Sequence, residues 1–251
     1  MPALRPALIV FAKVPRPGRV KTRLVPPLTA EEAADLYDAF LRDALGAYAI
    51  PGAFGRDVAV RLYLGTDEAV PDGLVPAGVS VHRQHGEGLG ARMLRAFVET
   101  FAAGHDAAVV IGTDHPALPL AFVGEAFRAL EVPLAAVLGP AADGGYYLLG
   151  LSEVAPALFA MEYSHARVLE DTLARAFAAG LQPVLLPEHE DVDDAGALRK
   201  LVRAVERGEA AVGARTAAAL AALRRAHPAL LSASDAPPGT SGAAGFGTVV
   251  A

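Results

Sequence analysis

The sequence predicts an α/β protein: a three-layer α/β/α sandwich with a mainly parallel central sheet. Two observations predict it. Runs such as 7–13 (ALIVFAK) and 107–112 (AAVVIG) are apolar at almost every position, the mark of strands covered on both faces. Between such runs lie stretches with apolar residues at helical spacing, and the two kinds alternate along the chain, as βα units require.

In chain order, Ala7–Lys13 is the first strand, followed by a Pro-rich basic loop from Val14 to Pro27. Thr29 with Glu32 three residues on forms a capping box, and Leu36, Phe40 and Leu41 continue a helical stripe toward Leu45. Asp57–Leu64 alternates into a second strand and Val79–His82 is a third. Gly90–Ala103 reads as a helix with Met93, Leu94, Phe97 and Phe101 on one side. A buried strand, Ala107–Gly112, precedes a helix over Leu120–Leu130. Strands Leu134–Leu138 and Tyr146–Leu151 bracket a Gly-rich turn. Helix Ala166–Ala179, strand Pro183–Leu186, helix Ala195–Glu206 and an Ala-rich helix over Ala210–Ala226 complete the pattern. Residues Ser232–Ala251 are small, Pro/Gly-rich and unpatterned, which predicts one domain over 1–231 and a disordered C-terminal tail.

Composition narrows the function. A chain of 251 residues, 53% hydrophobic, can bury a substantial core. Its 22 Lys+Arg against 28 Asp+Glu give a net charge of −6, which argues against a nucleic-acid polymer as partner. With no cysteine, zinc fingers, iron–sulfur clusters, disulfide frameworks and thiol nucleophiles are all excluded. No window approaches the ~18 uninterrupted apolar residues of a membrane span, and the start lacks a signal-peptide pattern; a cytoplasmic protein is expected. Of the basic residues only three are lysines, and Lys13 and Lys21 fall close together.

Four segments at strand ends carry chemistry, and strand ends are where open α/β sheets bind ligands. Lys13, Arg16, Gly18, Arg19, Lys21, Thr22 and Arg23 combine cations with a glycine that lets backbone N–H groups approach a phosphate. The run is not a P-loop, whose glycine–lysine spacing it lacks. Residues Gly86-Glu87-Gly88-Leu89-Gly90-Ala91 match the dinucleotide fingerprint in form. Glu87 would however set a carboxylate beside a pyrophosphate, and the run follows a late, weak strand. A nucleotide is expected there, supported by Arg92 and Arg95, and a nicotinamide cofactor is not. Asp114, between Thr113 and His115-Pro116, ends a buried strand and suits Mg²⁺ or Mn²⁺, which take oxygen ligands shared with substrate phosphates; an N-cap is its competing role. His115 reads as structural. Asp143-Gly144-Gly145-Tyr146-Tyr147 joins two strands through an Asp-Gly turn, and its tyrosines could offer faces and hydroxyls to a sugar or base. Glu188, Glu190, Asp191, Asp193 and Asp194 form a late acidic patch, one member of which could complete a metal site.

Together, FAKVPRPGRVKTRL (Phe11–Leu24), GTDHP (Gly112–Pro116), DGGYYLLGL (Asp143–Leu151) and DVD (Asp191–Asp193) resemble a family labelled arsenosugar-biosynthesis-type glycosyltransferase, an uncharacterised-domain family of GT-A, nucleotide-diphospho-sugar transferase-like proteins. The resemblance spans about Leu8 to Leu201. It implies a GT-A-like fold, a nucleotide-sugar donor, a small-molecule acceptor and Mg²⁺ or Mn²⁺. By position, Lys13, Gly18, Lys21, Thr22 and Arg23 would hold the donor's phosphates, and Gly86, Leu89, Gly90 and Arg92 would line the nucleotide. Asp114 and Asp193 would hold the metal, with Asp114 and Lys21 acting in catalysis. Asp143, Gly144, Gly145, Tyr146 and Tyr147 would face sugar or acceptor, and Asp143 or Glu162 would be the base of an inverting transfer. Two features depart from the family: Tyr163-Ser164-His165 stands where Trp-Ser-Thr is frequent, and the GT-A D-x-D is reduced to Asp114 alone. A first alternative is nucleotidyl transfer from an NTP with pyrophosphate release, because Val20–Pro26 also resembles 2-phospholactate guanylyltransferases; the G-G-x-G-x-R-x-G signature of molybdenum-cofactor guanylyltransferases is absent. A second alternative is a catalytically silent nucleotide-binding protein.

Overall fold

The computed structural model describes residues 5–65 and 69–228, so the expected tail over Ser232–Ala251 lies outside the described residues. Seven strands form one sheet: β1 (Pro6–Ala12), β2 (Ala59–Leu64), β3 (Val79–Arg83), β4 (Ala107–Ile111), β5 (Ala135–Pro140), β6 (Tyr146–Leu151) and β7 (Gln182–Leu185). Their order is β3-β2-β1-β4-β6-β5-β7. Strands β1 to β4 pair in parallel, as do β5 and β7, and β6 runs antiparallel to both its neighbours. The central strands are the apolar ones because both their faces are covered: every residue of β4 and β5 is buried.

Helices α1 (Ala30–Tyr48), α2 (Gly88–Ala102), α3 (Leu120–Ala129), α4 (Val168–Ala178), α5 (Ala195–Glu206) and α6 (Ala214–Ala226) supply the covers. One face packs on α1 and α3 through Tyr37, Leu41, Leu45, Val123 and Phe127. The other packs on α2 and α4 through Met93, Phe97 and Ala176, with the 3₁₀ turn Pro156–Phe159 filling between them. A third core lies outside the sandwich. Ala33, Leu36 and Phe40 of α1 meet Leu198, Leu201 and Val202 of α5 and Leu220 and Leu223 of α6. Helix α1 is therefore buried on two sides, and α5 and α6 form an outer layer over it. Asp43 on α1 accepts the α6 backbone N–H of Thr216 at 2.7 Å, which ties the extra layer down. No helix among the described residues is long and apolar enough to cross a membrane.

Most elements lie within two residues of the sequence expectation, and β6 and α5 coincide with it. The Thr29–Glu32 capping box is present in full. Two differences have clear causes. The Ala-rich helix starts at Ala214 instead of Ala210, after Gly213, whose neighbour Asp43 leaves no room for a side chain. Thr22–Leu24, inside the basic loop, winds into a 3₁₀ turn that buries Leu24.

Candidate active site

Strands β1 and β4 are neighbours ending at the same edge, so the loop after Ala12 and the loop after Ile111 leave the sheet side by side. This is the point where the connections diverge, β1 leading to β2 on one side and β4 lying on the other, and such a switch point opens a crevice. Tyr37 of α1 pins the two loops together. Its hydroxyl accepts the Lys13 backbone N–H at 3.0 Å and pairs with the Thr113 hydroxyl at 3.0 Å. Burial, with the charge of Asp114, pushes the Tyr37 hydroxyl up to about 12, so it stays a neutral strut.

The segment after β7 reaches the same crevice. Beyond Leu185 it keeps pairing along the sheet edge, His189 N–H donating to the Pro140 carbonyl at 3.0 Å. It then crosses to β4's exit, where Val192 N–H donates to the Asp114 carbonyl at 2.9 Å. That bond sets the register of the acidic run. Asp193 is turned into the crevice, while Asp194 N-caps α5 by accepting the Ala197 N–H at 2.9 Å. Adjacent acids thus do different work. Asp114 does not cap α3, whose N-cap is Pro119.

Lys21 joins the two acids. Its ammonium donates to Oδ1 of Asp114 and to Oδ1 of Asp193, the latter at 2.8 Å. Its side chain is 2% exposed against 44% and 39% for the two aspartates. The lysine is the floor of the site, and the carboxylates face the opening. Phe40 of α1 lies beneath, its ring centre 5.9 Å from the ammonium nitrogen, a favourable cation–π placement. Burial raises the Asp193 carboxyl, but Lys21, the hydrogen bond with Asp191 and the charge of Arg23 overcome it and hold the group below its usual range. Asp191 is pushed up to about 6 by burial, then by the charges of Asp193 and Asp143.

The remaining cations form the rim: Lys13, Arg16, Arg19 and Arg23 are exposed, as are Gly18 and Thr22. On the α2 side, Gly86 adopts φ +130° and its carbonyl accepts Arg92 Nε at 3.1 Å. Leu89 is exposed, whereas Gly90 is buried; a Cβ there would come within 2.6 Å of the Phe159 carbonyl and the Tyr163 ring. Gly90 thus serves helix packing against the 159–163 segment and is not one of the fixed positions of the G-x-G-x-x-A pattern, which fall on Gly86, Gly88 and Ala91.

The β5–β6 connection differs in kind. Asp143 closes the turn by accepting the Gly145 N–H at 2.9 Å. Gly144 sits at φ +87°, its carbonyl accepts the Leu169 N–H at 2.9 Å, and a Cβ there would stand 2.0 Å from the Ala166 carbonyl. Both tyrosines turn inward. Tyr147 is buried with its ring over Gly139 and beside His115, and its hydroxyl donates to the Pro187 carbonyl at 3.0 Å. The hydroxyl of Tyr146 lies 3.4 Å from that of Tyr163. Neither ring is displayed as a stacking face, so of the hairpin's expected acceptor residues Asp143 is the one linked to the acid cluster. The Glu162 carbonyl lies 3.1 Å from His165 Nε2.

Sequence reasoning had not found three contributors. Tyr37 and Phe40 carry only the signal of a core stripe. Gln84, just past β3, donates from its side-chain amide to the Ala12 and Tyr63 carbonyls at 3.3 and 2.9 Å, tying the ends of β1 and β2.

Residues 50–165 match the family model described as "Uncharacterized protein conserved in bacteria (DUF2064)". The chain is similar to a crystal structure of a candidate nucleotide-diphospho-sugar transferase from Desulfovibrio desulfuricans G20. Identity is 30%, with a TM-score of 0.79 over 91% of this chain and 97% of that one. It also shares its fold with a cytidylyltransferase from Leptospira borgpetersenii, at 12% identity and a TM-score of 0.52, covering 93% of this chain and 99% of that one. No curated protein matches the chain. The GT-A-like α/β/α architecture agrees with these likenesses.

Proposed function

Because the chain belongs to the DUF2064 family of bacterial proteins, we propose that it is a transferase of nucleotide-activated groups, moving a sugar from a nucleoside-diphosphate sugar to a small acceptor. One observation carries this reading: a buried ammonium held between two carboxylates at the switch point, below an exposed basic rim. Phosphates need the rim and the lysine. The paired carboxylates suit a divalent cation, since they already hold a cation, that of Lys21, between them.

Asp114 and Asp193 would hold Mg²⁺ or Mn²⁺. Among the described residues no group of three or more His, Cys, Asp or Glu could hold a metal, so the remaining ligands would be phosphate oxygens and water, as is usual for Mg²⁺. When bound, the metal supplies charge neutralisation to the departing diphosphate. Lys13, Gly18, Thr22 and Arg23 would grip the phosphates, and Gly86, Leu89 and Arg92 would border the nucleotide; Gly90, buried against the 159–163 segment, would not reach it. In the transfer, an acceptor oxygen bonds to the anomeric carbon as that carbon's bond to the β-phosphate oxygen breaks. Lys21 and Arg23 stabilise the negative charge that collects on the leaving oxygen. Asp143, whose charge acts on Asp191, takes the acceptor's hydroxyl proton.

Nucleotidyl transfer from an NTP is a second reading, and it too has a specific support. The site's second acid comes from the segment entering α5 and not from the D-x-D beside Asp114 that a GT-A glycosyltransferase resemblance implies. Incubation with nucleotide sugars and, separately, with NTPs plus a phosphorylated acceptor, Mn²⁺ present, separates the readings. A glycosylated acceptor with free nucleoside diphosphate supports the first. Pyrophosphate release from an NTP replaces it with the second, and no product from either class leaves a silent binding protein.

A further inference from the structure

We propose that Lys21 is a resident counter-ion that keeps divalent metal from the site until a diphosphate arrives, so that metal and nucleotide bind as a mutually dependent pair. This rests on reading the site as one for a nucleotide diphosphate, and it adds an order of events that the reading does not contain.

The argument is one of charge. Asp114 and Asp193 offer two negative charges, and the Lys21 ammonium already neutralises one of them from a position with almost no access to solvent. A divalent ion arriving alone meets two carboxylates that already hold a cation, and it must share both of them with that cation. Lys21 cannot simply step aside into water. It is buried over the Phe40 ring, and an unpaired buried ammonium is costly. It needs a new anion.

A diphosphate is such an anion. Its oxygens can take over the Lys21 hydrogen bonds and also complete a metal's coordination shell, which the protein's two carboxylates leave open. Each ligand then lowers the cost of binding the other, and linkage makes the two enhancements equal. The residue type fits the task. Only three of the 22 basic residues are lysines, and lysine is the side chain whose compact charge and rotatable donors can change partners. A guanidinium fork would stay locked on a carboxylate. The backbone of Lys21 sits at φ 48°, and its carbonyl accepts the Leu24 N–H at 2.9 Å, so the stem starts from a fixed point and only the side chain needs to move.

The test titrates the full-length protein with Mn²⁺ alone, following free Mn²⁺ by electron paramagnetic resonance. K21M, which keeps the stem and removes the charge, is expected to bind Mn²⁺ about tenfold more tightly than wild type, or better. K21R, which keeps the charge, is expected to stay as weak as wild type. Wild type binding Mn²⁺ as tightly as K21M overturns the proposal. The wild-type protein also decides it without a variant. With the Mn²⁺–nucleotide complex formed in solution subtracted, UDP or GDP is expected to raise Mn²⁺ affinity, and independent binding of the two overturns the coupling. Failure of UDP, GDP and nucleotide sugars to bind under any condition contradicts the nucleotide reading instead. The Mn²⁺-only comparison still reports on Lys21 in that case.

Discussion

The two ends of the crevice are built by opposite means. At the exits of β1 and β4, the parts are held by charge: Lys21 on Asp114 and Asp193, with exposed cations around them. At the β5–β6 connection they are held by close packing, with Gly144 against the Ala166 carbonyl and Tyr147 over Gly139. The first region keeps its functional atoms partly open to solvent and exchangeable. The second has spent its hydroxyls and most of its space on the fold. Substitutions should therefore separate, with chemistry lost at the charged end and, Asp143 apart, stability lost at the packed end.

The largest effect is expected for Asp114→Asn. Removing one of the paired carboxylates should lower turnover about a thousandfold, the scale of a lost electrostatic element in a transfer site, with a cooperative thermal transition retained. A steady-state assay beside a melting curve checks both halves, and retained turnover would break the division. At the packed end, Gly144→Ala adds a methyl group 2.0 Å from a backbone oxygen at φ +87°, and should cost about 2–4 kcal/mol by chemical denaturation. A smaller and sharper contrast lies between adjacent acids. Asp194→Ala should lose its helix cap, about 1 kcal/mol, and keep nucleotide binding. Asp193→Asn should lose metal binding while α5 keeps its cap. Equal loss of binding in both variants would mean that the register set by Val192 is not what assigns their roles.

The smallest expected effect is one of pH. Asp191 titrates near 6 in the folded chain and near 3.8 when unfolded. Its ionisation is thus resisted by the fold, and it costs no stability below about pH 4. The penalty grows between about 4 and 6 and is complete above 6. Asp191→Asn should therefore raise thermal stability at pH 7 to 8 and leave it unchanged at pH 3.5. Because the group is partly exposed, the gain should stay below about 1 kcal/mol.

Much of this was legible in the sequence, for physical reasons that stop at a definite point. Strands covered on both faces announce themselves as unbroken apolar runs, so β1, β4 and β6 could be placed closely. Lys21, Asp114 and Asp193 were each marked by chemistry, as a basic loop or as an acid after a strand. Their contact was not, because Lys21 and Asp193 are 172 residues apart and meet through one backbone bond at Val192. The residues of the acidic run alone offered Asp191, Asp193 and Asp194 without a rule to choose among them, and Asp193 was singled out only by the family resemblance. The tyrosines of the β6 entry and those of α1 look alike in sequence, yet Tyr37 serves the site and Tyr147 the core. Which way an aromatic points depends on the layer packed against it. For α1 that includes an outer layer of α5 and α6, which its double-sided burial implies only once the fold is known.

The central claim is that Asp114, Asp193 and Lys21 together form a seat for a metal and a nucleotide diphosphate. Calorimetric titration of UDP and GDP in the presence of Mn²⁺, wild type beside Asp114→Asn/Asp193→Asn, tests it most directly. Saturable binding of at least one nucleotide to wild type, lost in the double variant, is the predicted result. Equal binding by both proteins, or by neither, would contradict it.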